Sequence, residues 1–376
     1  MPEGCIDHVV TDPPYGLEFM GKEWDGQVPG PEYWQAIARV CKPGSLLLAF
    51  GGTRTWHRLA CAIEDAGWEI RDTLLWLQGQ GFPKSADVGK LIDKAKGAQR
   101  EVVGTKLGQP GYSLADNGRT NEVYGDLHNP AAECAITVPA TDLAKQWTGW
   151  AFALKPAWEP IILAMRPLEG RIADNAEKHG VAGMNIDACR IGENPGYKYN
   201  ADKNGTTFHG KQGERIKRTA EKAGTQFIEA TKGRWPANVL FDEEAAAMLD
   251  EQSGITKSSA KPRHNGDFKS VAKGHEKAHT TFGHEDEGGA SRFFYTAKAS
   301  KKERGPGNDH PTVKPLALMK YLLTLLSTPT GGVILDPFAG SGTTLLAAQK
   351  LGRQCIGVEL DPHNCGIITT RLNASN

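Results

Sequence analysis

Val333-Ile334-Leu335-Asp336-Pro337-Phe338-Ala339-Gly340-Ser341-Gly342-Thr343-Thr344 decides the fold. An apolar run ends in an acid, passes through a glycine turn and opens into helix-compatible residues, which reads as strand, loop and helix. Gly340 and Gly342 allow backbone angles and close approaches that other residues forbid. Open α/β sheets bind ligands at the carboxyl ends of parallel strands. Glu359 ends the next predicted strand, where a carboxylate commonly grips ribose hydroxyls. Leu345 stands where G-x-G-x-x-G requires its third glycine, and no Gly-Lys-Ser/Thr follows, so neither a dinucleotide nor a P-loop signature is complete. Asp336 reads as a second carboxylate facing the ligand. A sulfonium with an amino-acid tail suits both acids, Asp336 for the ammonium and Glu359 for the ribose. The alternative is a tight turn with no ligand.

Outward from this loop, strand and helix patterns alternate. Residues 5–11 predict a buried strand, 32–41 a helix stopped by Lys42-Pro43-Gly44, and 45–51 an apolar strand. Thr53 is placed to cap a helix running to Ala66, residues 68–77 predict a strand, and a short helix is expected near 86–96. Residues 159–165 predict a strand. Near the C-terminus come a helix at 315–326, strands at 332–336 and 354–359, and helices at 342–351 and 362–372. This alternation predicts an α/β fold, a parallel sheet covered on both faces. Residues 170–305 differ: they are Gly-, Lys- and His-rich, with one apolar run at 238–241. The expected division is a first catalytic half over 1–169, a loop-rich insertion over 170–305 and a cofactor half over 306–376.

The 376 residues carry 44 basic and 44 acidic side chains, so net charge gives no nucleic-acid footprint. Residues 195–235 hold nine basic against four acidic residues, a net of +5. Lys211, Arg215, Lys217, Arg218 and Arg234 are the candidate phosphate contacts there, and a solvated loop looks the same. No apolar run is long enough for a membrane span. The seven scattered cysteines form no Cys-x-x-Cys pair and read as free thiols in a reducing cytoplasm. The spacing of His264, His275, His279 and His284 is no standard metal pattern, so no metal is expected.

Asp12-Pro13-Pro14-Tyr15 closes the first predicted strand. An exocyclic amine of adenine or cytosine is a poor nucleophile, because its lone pair is delocalised. Two acceptors aimed at it favour tetrahedral geometry and offset developing charge. Asp12 supplies a carboxylate oxygen and Pro13 a carbonyl. Pro13 and Pro14 stiffen the loop, which suits preorganised electrostatics. Tyr15 offers a stacking face, and a base inside a duplex must flip to reach it. Methylation of cytosine C5 needs a cysteine nucleophile, typically after proline, and no Pro-Cys pair occurs. A proline-rigidified turn is the bland alternative.

These motifs and their order resemble the amino-DNA methyltransferases of the permuted β class, particularly compact members of phages and prophages. Asp12–Tyr15 resembles the catalytic motif, and Asp336–Thr344 the cofactor loop. Gly357-Val358-Glu359-Leu360-Asp361 resembles the ribose-binding strand. His310-Pro311-Thr312-Val313-Lys314-Pro315 resembles the segment leading to the helix over the cofactor's methionine end. The resemblance implies a circularly permuted, Rossmann-like S-adenosylmethionine-dependent sheet with a target-recognition region in the middle. It implies cofactor contacts from His310, Thr312, Lys314, Asp336, Pro337, Phe338, Ala339, Gly340, Ser341, Gly342, Thr343, Glu359, Leu360 and Asp361. It implies double-stranded DNA as partner, a homodimer as one allowed assembly, and the cytoplasm of a bacterium or phage-infected host. Asp12 at the first motif position points to adenine N6, with cytosine N4 the nearest rival. Trp147–Met165, Gly233–Asn238 and Arg292–Tyr295 are also similar, without an assigned role. The family's usual Gly-Asp strand upstream of the catalytic motif has no counterpart here, from which weaker cofactor affinity, or binding that needs a partner, is expected. A DNA-binding relative without catalysis and a hydride-transfer enzyme are the readings from other classes.

Overall fold

The computed structural model describes residues 1–17, 26–79, 85–107, 133–192, 197–200, 227–230, 233–258, 263–264, 280–281, 286–298, 308, 310 and 313–374. Eight strands form the central sheet: β1 (Ile6–Thr11), β2 (Cys41–Phe50), β3 (Glu69–Leu77), β4 (Trp158–Met165), β5 (Val239–Asp242), β6 (Tyr295–Ala297), β7 (Val333–Asp336) and β8 (Gln354–Gly357). Their order is β6-β5-β3-β4-β2-β1-β7-β8.

The expected parallel sheet is in fact mixed, since β4 runs antiparallel to both β2 and β3 while every other neighbouring pair is parallel. The cause is the β3–β4 connection, which returns to the end it left: Gln78 N donates to Ala157 O at 2.9 Å. β5 and β6 also belong to this sheet, so the 170–305 stretch contributes two strands to it. Lys42-Pro43-Gly44 lies within β2, which begins directly after α1 (Pro31–Val40). The register shifts between Ile6 and His8, absorbing the extra residues of β2 as a bulge.

Both faces of the sheet are covered. Leu46, Leu48 and Phe50 of β2 pack with Val10, Trp76 and Ile161 against α7 (Leu316–Leu325) and α8 (Thr343–Lys350). The alternate residues Leu47 and Ala49 pack with Val9 and Ile162 against α1 and α2 (Trp56–Asp65), around buried Trp34 and Trp68. This burial on both faces explains the continuous apolar run of β2. The connection after β1 therefore crosses one face and the one after β7 crosses the other. Neighbouring strands whose connections diverge open a crevice at their carboxyl ends, and here that crevice lies between β1 and β7.

A smaller unit sits in the β3–β4 connection. It comprises α3 (Val88–Ala95), a hairpin of Val102–Leu107 with Glu133–Thr137, and α4 (Asp142–Gln146). Sequence periodicity missed α5 (Ile172–His179) and α6 (Glu243–Ser253). The C-terminal α9 (Pro362–Asn373) packs beside α8. Among the described residues, no helix is long and apolar enough to cross a membrane, and no cluster of three or more His, Cys, Asp or Glu could hold a metal. The six cysteines whose side chains are described are free thiols.

Candidate active site

Asp12 follows the last residue of β1, directly at the crevice. Its carboxylate is held from two sides. The Tyr15 hydroxyl donates to Oδ1 at 2.7 Å, and Lys314 Nζ lies 2.6 Å from Oδ2. Lys314 also reaches the Tyr15 hydroxyl at 3.1 Å and Glu159 Oε2 at 3.3 Å. Tyr15 reaches the same Glu159 oxygen at 3.3 Å, and Gln78 Nε2 donates to Oε1 at 2.7 Å. Two carboxylates, one ammonium and one phenol thus form a single network drawn from β1, β3, β4 and the segment before α7.

Electrostatics keep these groups in fixed states. Burial lowers the proton affinity of Lys314, but the charges of Asp12 and Glu159 outweigh it and its pKa lies above the ordinary value. Burial, then the charges of Asp12 and Glu159, push the Tyr15 phenol well above its usual range, so it remains a donor. The Lys314 ammonium also lies 5.4 Å from the Tyr15 ring centroid and 4.9 Å from that of Phe50.

The loop carrying Tyr15 is fastened locally. Thr55 Oγ1 donates to the Tyr15 carbonyl at 2.6 Å. Thr55 rather than Thr53 precedes α2, and its side chain makes this bond instead of capping the helix. Tyr15 packs over Gly52, where a Cβ would lie 3.2 Å from its ring.

The glycine loop after β7 is bound to the same site. Thr11 Oγ1 donates to Asp336 Oδ1 at 2.7 Å, tying the end of β1 to the end of β7. Phe338 N donates to the same oxygen at 3.2 Å. Asp336 is buried, and burial pushes its pKa up to about 6 against the hydrogen bonds from Thr344, Thr11 and Phe338. Through these bonds Asp336 fastens the glycine loop to the end of β1.

Gly340 and Gly342 have φ of +52° and +79°. A Cβ on Gly342 would meet Ile368 at 2.8 Å, and one on Gly340 would lie 3.2 Å from His310 Nε2. Glu359 Oε2 accepts from Gly340 N at 2.7 Å and Oε1 from Asp361 N at 2.9 Å. Asp361 caps α9 through His363 N. Ser341 and Thr343 are buried under Arg371, whose Nη1 reaches Ser341 O at 2.6 Å, Ser341 Oγ at 3.2 Å and Thr343 Oγ1 at 3.1 Å. Leu360, beside Glu359, is 92% exposed.

The structure therefore brings Asp12, Tyr15 and Lys314 together, and places His310 and Glu359 on the glycine loop. Lys314, expected over the cofactor, bonds Asp12. Pro13 is buried in the turn, with Pro14, Pro337, Phe338 and Ala339 half-buried or buried around the crevice. Arg234 precedes β5, whose carboxyl end is the one level with Asp12, and its guanidinium is engaged by Asp286. Thr312, Lys211, Arg215, Lys217 and Arg218 lie outside the described residues, as do the side chains of His264, His275, His279 and His284. Sequence reading gave no role to Glu159, Gln78, Thr11 or Arg371. The signal for Glu159 was an acid at the mouth of an otherwise apolar strand.

The DNA methylase family designated N6_N4_Mtase matches residues 6–370. The type II methyltransferase M2.DpnII of Streptococcus pneumoniae is 38% identical over 91 residues, 24% of this chain and 34% of that protein. The type II methyltransferase M.HindIII of Haemophilus influenzae is 24% identical over 338 residues, 89% of this chain and 64% of that protein. The chain thus spans about a third of the first relative and just under two thirds of the second. Among solved structures, the cytosine-N4-specific PvuII DNA methyltransferase overlaps with a TM-score of 0.39 at 12% identity, covering 100% of this chain and 87% of that one. The fold follows from the sheet order itself.

Proposed function

The chain belongs to this DNA methylase family, and from that premise we propose that it is a site-specific DNA methyltransferase that moves a methyl group from S-adenosylmethionine to the N6 amine of a flipped adenine. The observation that carries the proposal is the Asp12 carboxylate, gripped by Tyr15 and Lys314 and joined through Thr11 and Asp336 to the glycine loop.

The residues present fit the cofactor. Positive-φ glycines let the loop backbone approach a ligand closely, Glu359 offers a carboxylate beside it for ribose hydroxyls, and Leu360 offers an exposed apolar face. His310 borders the loop at Gly340. When bound, S-adenosylmethionine supplies an electrophilic methyl group. The chain's own residues act on the amine. Asp12 retains acceptor capacity beyond its two bonds, since a carboxylate offers about four acceptor sites. It accepts an N–H of the amine while the Pro13 carbonyl accepts the other. Tyr15 and Lys314 fix the carboxylate's orientation before the base arrives, so no reorganisation is needed at the moment of reaction. The nitrogen then releases one proton, for which Asp12 is the positioned base.

Adenine rests on Asp12 at the first motif position; the family name spans both N6 and N4 chemistry, and cytosine N4 is the second reading. Target recognition is assigned to residues within 170–305, with phosphate contacts from Lys211, Arg215, Lys217 and Arg218. A deletion that replaces 201–226 with a short linker is expected to lose sequence selectivity and keep cofactor binding. The direct test is Asp12→Ala. It should abolish methyl transfer and leave cofactor affinity, measured by calorimetry, within a few-fold of wild type. Retained methyl transfer would overturn the assignment.

A further inference from the structure

The residues leading into β4 turn four large apolar side chains outward: Trp147 is 42% exposed, Trp150 60%, Phe152 67% and Leu154 91%. Such a concentration of exposed apolar surface marks an interaction site. The segment is also held in place. Gly149 N donates to Asp87 Oδ2 at 2.8 Å, and Phe152 N and Ala153 N donate to Ser85 Oγ at 2.9 and 3.1 Å. Val88 N donates to Trp150 O at 2.8 Å, and Lys155 Nζ reaches Gly79 O at 2.7 Å. The Trp147 and Trp150 rings meet edge-on, 5.5 Å between centroids. In the same unit, buried Asp93 of α3 gathers Arg100 Nη1, Ala140 N, Thr141 N and Thr141 Oγ1 within 3.1 Å.

Position gives the strip its partner. Because β4 is antiparallel, its first residues lie at the carboxyl ends of β2 and β3, the end that carries Asp12. Leu154 and Trp150 are five and nine residues from Glu159, which bonds Tyr15 and Lys314. Extended chain covers those separations in at most about 18 and 32 Å, within one helical turn of duplex DNA, about 34–36 Å. Lys90 and Lys94, four apart on α3, share one face of that helix and are exposed. No carboxylate pairs with either among the described residues.

Resting on the methyltransferase reading above, we propose that this strip is a DNA-docking surface. Trp147, Trp150, Phe152 and Leu154 receive bases unstacked around the target, and Lys90 and Lys94 hold phosphates of the same strand. Aromatic faces stack on any base, so the strip contributes affinity for opened DNA rather than sequence choice.

Fluorescein-labelled mixed-sequence duplexes, fully paired or with a short unpaired patch, test this by anisotropy. Wild type should prefer the unpaired patch. The double variant Trp150→Ala/Phe152→Ala should bind that DNA about tenfold or more weakly, with Trp150→Phe restoring most of the affinity. Lys90→Ala/Lys94→Ala should flatten the dependence of binding on salt by up to about two phosphate contacts. Cofactor affinity should stay at the wild-type value in all variants, which shows that they fold. Equal binding by wild type and Trp150→Ala/Phe152→Ala overturns the proposal. So does a change in sedimentation with DNA affinity intact, which would make the strip a face between proteins. Methyl transfer by wild type to the same DNA is followed in parallel. Its absence overturns the underlying reading, whereas transfer with unaltered variant binding overturns the docking surface alone.

Discussion

Replacing Lys314 by methionine keeps the side chain's length and removes its charge. The ammonium lies 2.6 Å from Asp12 Oδ2 and 3.3 Å from Glu159 Oε2, so those oxygens are at most about 6 Å apart. Two unit charges at that distance repel by roughly 3 kcal/mol at an effective dielectric of about 20. The Asp12 and Glu159 side chains are 23% and 27% exposed, and solvent screens part of this, leaving about 1–2 kcal/mol. The doubly ionised pair is disfavoured by that amount, roughly a factor of 5–30. A neighbouring like charge favours protonation of a carboxylate, so the acid limb of the kcat/KM profile should move toward higher pH. The displacement is about 0.7–1.5 pH units, at 1.36 kcal/mol per unit, so activity is lost on the acid side of the profile and approaches its plateau as pH rises. Adding Glu159→Gln removes the competing charge and should return the limb toward its wild-type position. The assay is transfer of labelled methyl groups to DNA across the pH range. A Lys314→Met profile that superimposes on wild type, or a limb unmoved by the second substitution, would refute the network argument.

Other perturbations report on the support around the site. Arg371→Ala deletes three hydrogen bonds beneath the glycine loop; it should weaken cofactor binding about tenfold or more and lower Tm by several degrees, read by calorimetry and thermal denaturation. Gly342→Ala combines a left-handed φ with a Cβ 2.8 Å from Ile368 and should destabilise by about 1–3 kcal/mol, measured in urea. Burial holds the His8 imidazole neutral, its pKa depressed from 6.5 to about 3, and Leu46 N donates to its Nδ1 at 3.0 Å. The unfolded chain binds the proton first, so stability should fall as pH drops from 6.5 towards 3, by at most roughly 5 kcal/mol. His8→Asn, which keeps an acceptor near Leu46 N, should show a flatter dependence of Tm on pH over that window.

Much of the fold was legible because its signals are local. Apolar runs such as Leu46–Phe50 and the glycine turn after Asp336 carry their structure within a few residues. The antiparallel direction of β4 was not legible, because it depends on where an 80-residue connection returns, and no residue of β4 encodes that. β6 is three residues long, too short for a period. At the site, Asp12 and Tyr15 announced themselves by their motif. Lys314 was noticed in the segment before α7, but its bond to Asp12, 302 positions away, shows only in the folded chain. Asp336 was read as a carboxylate facing a ligand; the bond it accepts from Thr11 on the neighbouring strand has no signature in either segment. Arg371 lay in an ordinary amphipathic helix, and its reach to Ser341 across 30 positions has no sequence signature.

The central claim is methyl transfer to an exocyclic amine at Asp12. Incubating the protein with DNA and S-adenosylmethionine carrying a deuterated methyl group, then resolving the digested nucleosides by mass spectrometry, tests it in one run. The account predicts labelled N6-methyladenine with wild type and none with Asp12→Ala; labelled N4-methylcytosine would overturn the choice of base, and a digest with no labelled nucleoside would contradict the claim itself.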